Sequence, residues 1–335
     1  MSRNSLGSGT FRSTNSRLLM VPNAAFFWFV SALLFSSSAS GQDGKMELPA
    51  PVTLARTTKD GVEIKCTYYG GLAGKRTIPV IMVHDFNGQR GQFDDFARKL
   101  QKATPEGTFA ILVPDLRAHG ESNQVHNAKG QPITLLPQNL KPADFVTMAN
   151  FDLEAAKKIL MEKNNAGDLN INQLAVIGAG PMGSAVALIW TLQDWSWPAT
   201  LNGKQGQDVA AFVLLSPTKT YKTLNLQNAI KHPFVGGKVS AMIVHGTKEP
   251  DAVQIFKQLE TKHAPIPKTA EDRVKFQDLF QLELDTEVKG INFLDREFGL
   301  NLEVEIYKFL KLRLVNKRDD AAFAWEDRSG MPEPK

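Results

Sequence analysis

The chain has 335 residues, 42% of them hydrophobic and 22% charged, enough for one large α/β domain whose core needs neither a metal nor a disulfide. The formal net charge of +4 falls largely in the first 41 residues, where Arg3, Arg12 and Arg17 stand without an acid; the rest is near neutral and argues against a nucleic-acid partner. The single cysteine, Cys66, excludes an internal disulfide and lies in an alternating, strand-like run where a thiol packs as a small hydrophobe.

In chain order, residues 1–17 are polar and basic, Leu18 to Phe35 is mostly apolar, and small residues follow up to Gly41. That is the order of a secretory signal over residues 1–41, with cleavage before Gln42, and it predicts export to the periplasm or the medium. The alternative is a membrane anchor through residues 18–35, although Pro22 and Asn23 shorten the apolar run below an ordinary span. Membrane contact is expected only there. Residues 42–50 read as a linker and 51–314 as the folded domain.

Within that domain, Pro51 to Tyr69 reads as two strands around the turn Lys59-Asp60-Gly61. Pro79 to His84 and Phe109 to Asp115 are continuous apolar runs, as strands buried on both faces require. Between them Phe93 to Lys102 has helical spacing. A polar stretch reaches about residue 143, and Asp144 to Lys163 is a long amphipathic helix. Leu174 to Gly178 is a strand and Pro181 to Leu192 a helix. Val209 to Leu215 and Val239 to His245 are two more buried strands. Asp251 to His263 is helical, Phe276 to Leu284 reads as a strand, and Leu302 to Leu312 is the last helix. Strands alternating with helices after an opening hairpin predict a doubly wound, mostly parallel sheet with helices on both faces. Only about 23 residues separate Leu215 from Val239, which leaves room for a minimal lid. The charged stretch 315–335 reads as a mobile polar tail.

Four segments, in order, resemble the α/β-hydrolase superfamily. Val83-His84-Asp85-Phe86-Asn87-Gly88 resembles the loop after the third strand, which supplies one oxyanion-hole amide. Asp115-Leu116-Arg117-Ala118-His119-Gly120-Glu121-Ser122 resembles the Asp-x-Arg-Gly-His-Gly-x-Ser turn after the fourth. Val176-Ile177-Gly178-Ala179-Gly180-Pro181-Met182-Gly183 stands where the nucleophile elbow belongs, and Ile243 to Pro250 resembles the segment carrying the triad acid. The pattern is most similar to serine-aminopeptidase-like and dienelactone-hydrolase-like bacterial members. The resemblance implies an α/β-hydrolase fold, oxyanion amides at Phe86 and Met182, and an acid at Glu249.

The same alignment leaves the chemistry incomplete. A serine hydrolase needs a hydroxyl on the elbow, a histidine to take its proton and an acid to orient that histidine. The nucleophile position falls on Pro181 when Met182-Gly183 is the anchor and on Gly180 when Gly178 is, and neither side chain attacks a carbonyl. Proline is comfortable at a helix's first position, so the turn survives without its function. Ser184, the nearest hydroxyl, is the weak alternative nucleophile; its simpler role is a small residue between helix and sheet. The window Leu284 to Asn301, where the base belongs, holds no histidine, and all six histidines lie at or before His263. His84, Asp85, Ser216 and Tyr221 are candidates to line a residual pocket at the carboxyl ends of the strands.

Gly178, Gly180 and Gly183 also match the Gly-x-Gly-x-x-Gly dinucleotide fingerprint, but no acid ends a strand about 20 residues later. No spacing suggests a metal, and no cofactor is expected. The leading expectation is an exported hydrolase-fold protein without a working triad, binding a small molecule or a protein partner. The alternatives are an ester or amide hydrolase with an unusual constellation, and a structural or interaction protein of the cell envelope.

Overall fold

The computed structural model describes residues 47–104, 107–126, 130–200 and 203–330. The expected signal and cleavage site, the membrane-anchor alternative over 18–35 and most of the expected linker lie outside the described residues. In chain order the strands are β1 (Val52–Thr57), β2 (Glu63–Tyr69), β3 (Ile78–Val83), β4 (Phe109–Pro114), β5 (Gln124–His126), β6 (Pro132–Thr134), β7 (Leu174–Ala179), β8 (Val209–Leu215), β9 (Thr220–Tyr221), β10 (Leu224–Asn225), β11 (Ser240–Gly246) and β12 (Leu279–Leu284). The helices are α1 (Asp94–Gln101), α2 (Pro142–Thr147), α3 (Leu153–Asn165), α4 (Gly180–Ser196), α5 (Gln227–Lys231), α6 (Pro250–Glu260), α7 (Ala270–Phe276) and α8 (Leu302–Arg313).

Eight strands form one sheet in the order β1-β2-β4-β3-β7-β8-β11-β12. The pairs β1/β2 and β2/β4 are antiparallel and the others parallel, so the opening hairpin supplies an antiparallel edge to a parallel sheet. β3, β4 and β7 are buried at every residue, as their unbroken apolar runs require. Helices α3, α4 and α6 cover one face, and α1 and α8 cover the other. The expected doubly wound sheet with helices on both faces is what forms.

The predicted helix over 144–163 is continuous in space but not uniform. A π-turn at Met148–Asp152 joins α2 to α3. Below it, the Arg117 guanidinium bonds Asp152 Oδ1 at 2.7 Å and Asp60 Oδ2 at 2.6 Å, tying the helix, the hairpin turn and the end of β4 together. Arg117 therefore anchors structure, in a turn where Ala118 adopts φ +66° at the place the resemblance gives to glycine.

Three expectations are corrected. The strand expected from Phe276 starts at Leu279, because Thr269 caps α7 by accepting from Asp272 N–H and carries Phe276 into the helix with its ring exposed. The polar stretch before residue 143 contains the β5/β6 hairpin, too short and exposed to show an alternation. The tail from Val315 is docked as far as Gly330, so the domain does not end at 314. Trp325 Nε1 donates to Leu169 O at 3.1 Å, and Asn170 and Asn172 donate to the carbonyls of Phe323 and Ala324. Arg328 is buried, with its guanidinium on both carboxylate oxygens of Asp208 at 2.6 and 3.0 Å. Charged composition suggested a solvated tail, but buried counter-charges hold it.

Candidate functional site

β7 passes into α4 with no intervening residue, and the turn is made at Gly180, whose φ is +70°. That single left-handed residue at the strand-to-helix corner is the nucleophile position of an elbow. The structure thus decides between the two alignments: Gly180 holds the nucleophile position and Pro181 the one after it. The assignment of Pro181 as the degenerate nucleophile is corrected accordingly. The consequence reaches the oxyanion hole. The amide that should come from the residue after the nucleophile is absent, because proline has no N–H.

The Asp85 carboxylate fills the space above Gly180. A Cβ built on Gly180 would lie 2.1 Å from Asp85 Oδ2, so no side chain fits there while Asp85 holds its place. Asp85 Oδ1 accepts from Met182 N–H at 2.8 Å, and the neighbouring backbone amides of Phe86 and Gly183 favour the charged carboxylate. Of the two amides expected at an oxyanion hole, those of Phe86 and Met182, the Met182 N–H is bonded to an anion that belongs to the protein. Burial raises the Asp85 pKa above its ordinary value, and the three amides oppose the rise.

The remaining candidates divide between wall and foundation. Phe86 and Tyr221 stand beside Asp85, their ring centroids 6.5 Å apart, with Phe145 5.6 Å from Tyr221. Burial, and secondarily the Asp85 charge, push the Tyr221 hydroxyl up to about 12. His84 does not line the pocket. It is wholly buried, with Nδ1 donating to Asp85 O at 2.7 Å and Nε2 accepting from Leu116 N–H at 3.0 Å. Burial drives its pKa down to about 4, so both nitrogens are committed and the ring is neutral. Ser216 is likewise buried, and its hydroxyl accepts from Gly290 N–H at 2.7 Å.

That last bond shows what replaces the missing histidine. The loop after β12 does return to the elbow, and Gly290 lies directly over it; a Cβ on Gly290 would be 3.1 Å from Gly180 Cα. Backbone therefore sits where an imidazole would be needed. Glu249 reaches the expected end of β11, where its Oε2 accepts from Gly246 N–H at 2.9 Å. Ser184 is fully buried in α4 and donates to Gly178 O at 3.1 Å, so it packs helix against strand and faces no cleft.

Two further histidines, His245 and His119, are held by bonds within the fold. His245 bonds Gly246 O through Nδ1 and Gln281 through Nε2. His119 is buried, its Nδ1 on Arg117 O. The cleft that remains over Gly180 has a volume of about 180 Å³, between the 85–88 loop and residues 289–292. Among the described residues, no group of three or more His, Cys, Asp or Glu side chains is placed to hold a metal. The glycine fingerprint has a packing explanation: a Cβ on Gly178 would strike Gly183 O at 2.5 Å, and the Asp85 carboxylate would repel a pyrophosphate at the helix start.

Sequence reasoning missed the role of Asp85, since nothing local reveals a carboxylate folded onto an amide 97 positions away. The available signal was the pair itself: an acid two residues after a strand, facing an elbow built of glycine and proline.

No protein-family model matches the sequence, and no curated protein matches it. Solved structures do. Dienelactone hydrolase from Anabaena variabilis aligns over 80% of this chain and 100% of its own, with a TM-score of 0.54 and 14% identity. An esterase from Pyrobaculum calidifontis aligns over 79% of this chain and 85% of its own, with a TM-score of 0.53 and 13% identity. The Pyrococcus furiosus esterase Pf2001 aligns over 79% and 93%, with a TM-score of 0.50 and 15% identity. At these identities the likeness concerns architecture, and together with the strand order, the elbow turn at Gly180 and the acid at the end of β11 it gives one conclusion: this chain has the α/β-hydrolase fold.

Proposed function

We propose that this is a hydrolase-fold protein that does not carry out serine acyl transfer at its elbow, and that its residual cleft binds a compact donor-bearing molecule, an amine or an alcohol, against the Asp85 carboxylate. One observation carries the reading: Asp85 occupies the amide cradle and the space of the nucleophile side chain together. A carboxylate held there excludes an acyl oxyanion from the same amides, and the proline next to Gly180 removes the further donor. The test is a fluorophosphonate probe and a broad ester panel applied to the full chain. The expected result is no serine labelling and no turnover above background. Labelling that disappears in Ser184→Ala would overturn the proposal.

A second reading, an ester or amide hydrolase with an unusual constellation, is favoured by the similar structures, which are esterases and a dienelactone hydrolase. Turnover in the same panel that is lost in Asp85→Asn would establish it. Export to the periplasm or medium is proposed on the order of basic, apolar and small residues before Gln42. The mass of the mature N-terminus checks it: a chain starting at Gln42 supports export, and an intact chain in the membrane fraction supports the anchor. An interaction role at the cell envelope would follow if the cleft took no small molecule.

A further inference from the structure

The two walls of the cleft over Gly180 carry opposite charge. The 85–88 loop brings Asp85 and the 289–292 loop brings Lys289, the two charged residues among the described ones that line it. No ion pair joins them. Lys289 is exposed and has no ion-pair partner among the described residues. Glu287, two positions earlier, is taken by Lys248.

Backbone sets the spacing of these walls. Met182 N–H holds the Asp85 carboxylate at 2.8 Å. On the other side Gly290 N–H donates to the buried Ser216 hydroxyl at 2.7 Å, which fixes the residue directly after Lys289. Two opposite charges mounted apart on a fixed frame leave a gap that a ligand of both signs would close, each of its ends forming a charge-assisted bond.

The size of the gap limits that ligand. The cleft holds about 180 Å³, below the roughly 300–1,000 Å³ usual for drug-sized ligands. It adjoins a second cavity of about 530 Å³, the two sharing Gln92, Ile291 and Asn292. There Phe96 and Leu294 add apolar surface. The polar groups of that second space are already engaged: Arg296 donates to Asp95 at 2.7 Å, and Asp295 accepts from Glu297 N–H at 2.9 Å. A small charged head in the cleft therefore has an apolar way out over Ile291.

We propose that the cleft takes a free α-amino acid with an apolar side chain, its ammonium at Asp85, its carboxylate at Lys289 and its side chain over Ile291 toward Phe96 and Leu294. The proposal rests on the reading of Asp85 as the seat of a donor group and adds the second charge and the side chain.

The test is a calorimetric titration of the full chain with L-leucine and with three relatives that each lack one part: isoamylamine without the carboxylate, isocaproate without the amine, and glycine without the side chain. Saturable binding of leucine is expected, about five-fold or more tighter than isoamylamine and about ten-fold or more tighter than isocaproate and glycine. Asp85→Asn should weaken leucine and isoamylamine alike. Lys289→Ala, at an exposed position, should bring leucine down to the level of isoamylamine and leave the amine unchanged, and Lys289→Arg should keep the preference. If isoamylamine binds through Asp85 but leucine binds no tighter, or Lys289→Ala changes nothing, this proposal is overturned and the reading of Asp85 stands. Glycine binding as tightly as leucine would overturn it as well. If neither leucine nor isoamylamine binds, the amine reading of Asp85 falls and the proposal falls with it.

Discussion

The two ends of the sheet treat charge in opposite ways. At the carboxyl ends of the strands, where this fold does chemistry, one carboxylate faces backbone amides and no cationic side chain: Asp85 above Gly180. At the other end, Lys157 bonds Asp194 at 2.5 Å and Asp208 at 2.7 Å, and Arg328 closes on Asp208 from the C-terminal segment. All four side chains there are almost wholly buried. The contrast shows that one sheet can hold a carboxylate against backbone amide at one end and a buried cluster of opposite charges at the other. The first end has been filled, and the second has been sealed.

The largest effect is expected where the seal is broken. Arg328→Ala leaves Asp208 buried with less counter-charge, and removing one partner of a buried pair costs about 3–5 kcal/mol. Burial alone would raise the Asp208 pKa, but Lys157 and Arg328 outweigh it and hold it below its ordinary value. Its contribution is present above the unfolded pKa and lost as pH falls. Urea unfolding of Arg328→Ala should show the loss, and a change under about 1 kcal/mol would mean that the segment from Val315 is an ornament on the fold.

The ends also differ in how far the sequence discloses them. The buried strands β3, β4, β7, β8 and β11 were legible because a strand covered on both faces must be apolar throughout. The elbow was legible as a turn, since Gly180 and Pro181 suit a strand running into a helix. Its content was not, because Asp85 and Met182 meet only through the sheet order β3-β7. Arg328 and Asp208 stand 120 positions apart, and a charged terminal stretch has the composition of a solvated one. Periodicity reports burial by segment; it does not report which charge answers which.

Acidification should weaken the catalytic-type end next. The His84 pKa is lowered from 6.5 to about 4, first by burial and also by the neighbouring His119. Between those values the unfolded chain binds a proton that the folded chain refuses, so stability falls as pH drops through that window, by about 3 kcal/mol for this group. Burial lowers His119 and His263 as well, with the same sign. Stability measured from pH 6.5 to 4 should decline, and His84→Gln should flatten the decline. An unchanged slope would remove His84 as its source.

A smaller effect tests the filled elbow directly. Gly180→Ser puts a Cβ 2.1 Å from Asp85 Oδ2 on a backbone at φ +70°, which should cost about 1–3 kcal/mol. Adding Asp85→Gly should recover part of that cost, so the two changes are expected to be non-additive. Additive losses would mean that Asp85 can swing aside. The double variant still lacks an imidazole over the serine, because Gly290 occupies that place, and it should show no strong ester turnover.

Ser184 is where the smallest change is expected. Its hydroxyl donates to Gly178 O at 3.1 Å inside the helix–strand contact, so Ser184→Ala removes one internal bond and leaves a carbonyl already engaged in the ladder. The loss should be about 1 kcal/mol or less, read as a small shift in the denaturation midpoint. The same variant should leave every binding curve at the elbow unchanged. A hydroxyl that mattered to chemistry would behave in the opposite way, with little stability at stake and a visible loss at the site. Measuring both properties on one substitution therefore separates a residue that joins α4 to β7 from one that serves the cleft, and it does so without assuming which molecule the cleft receives.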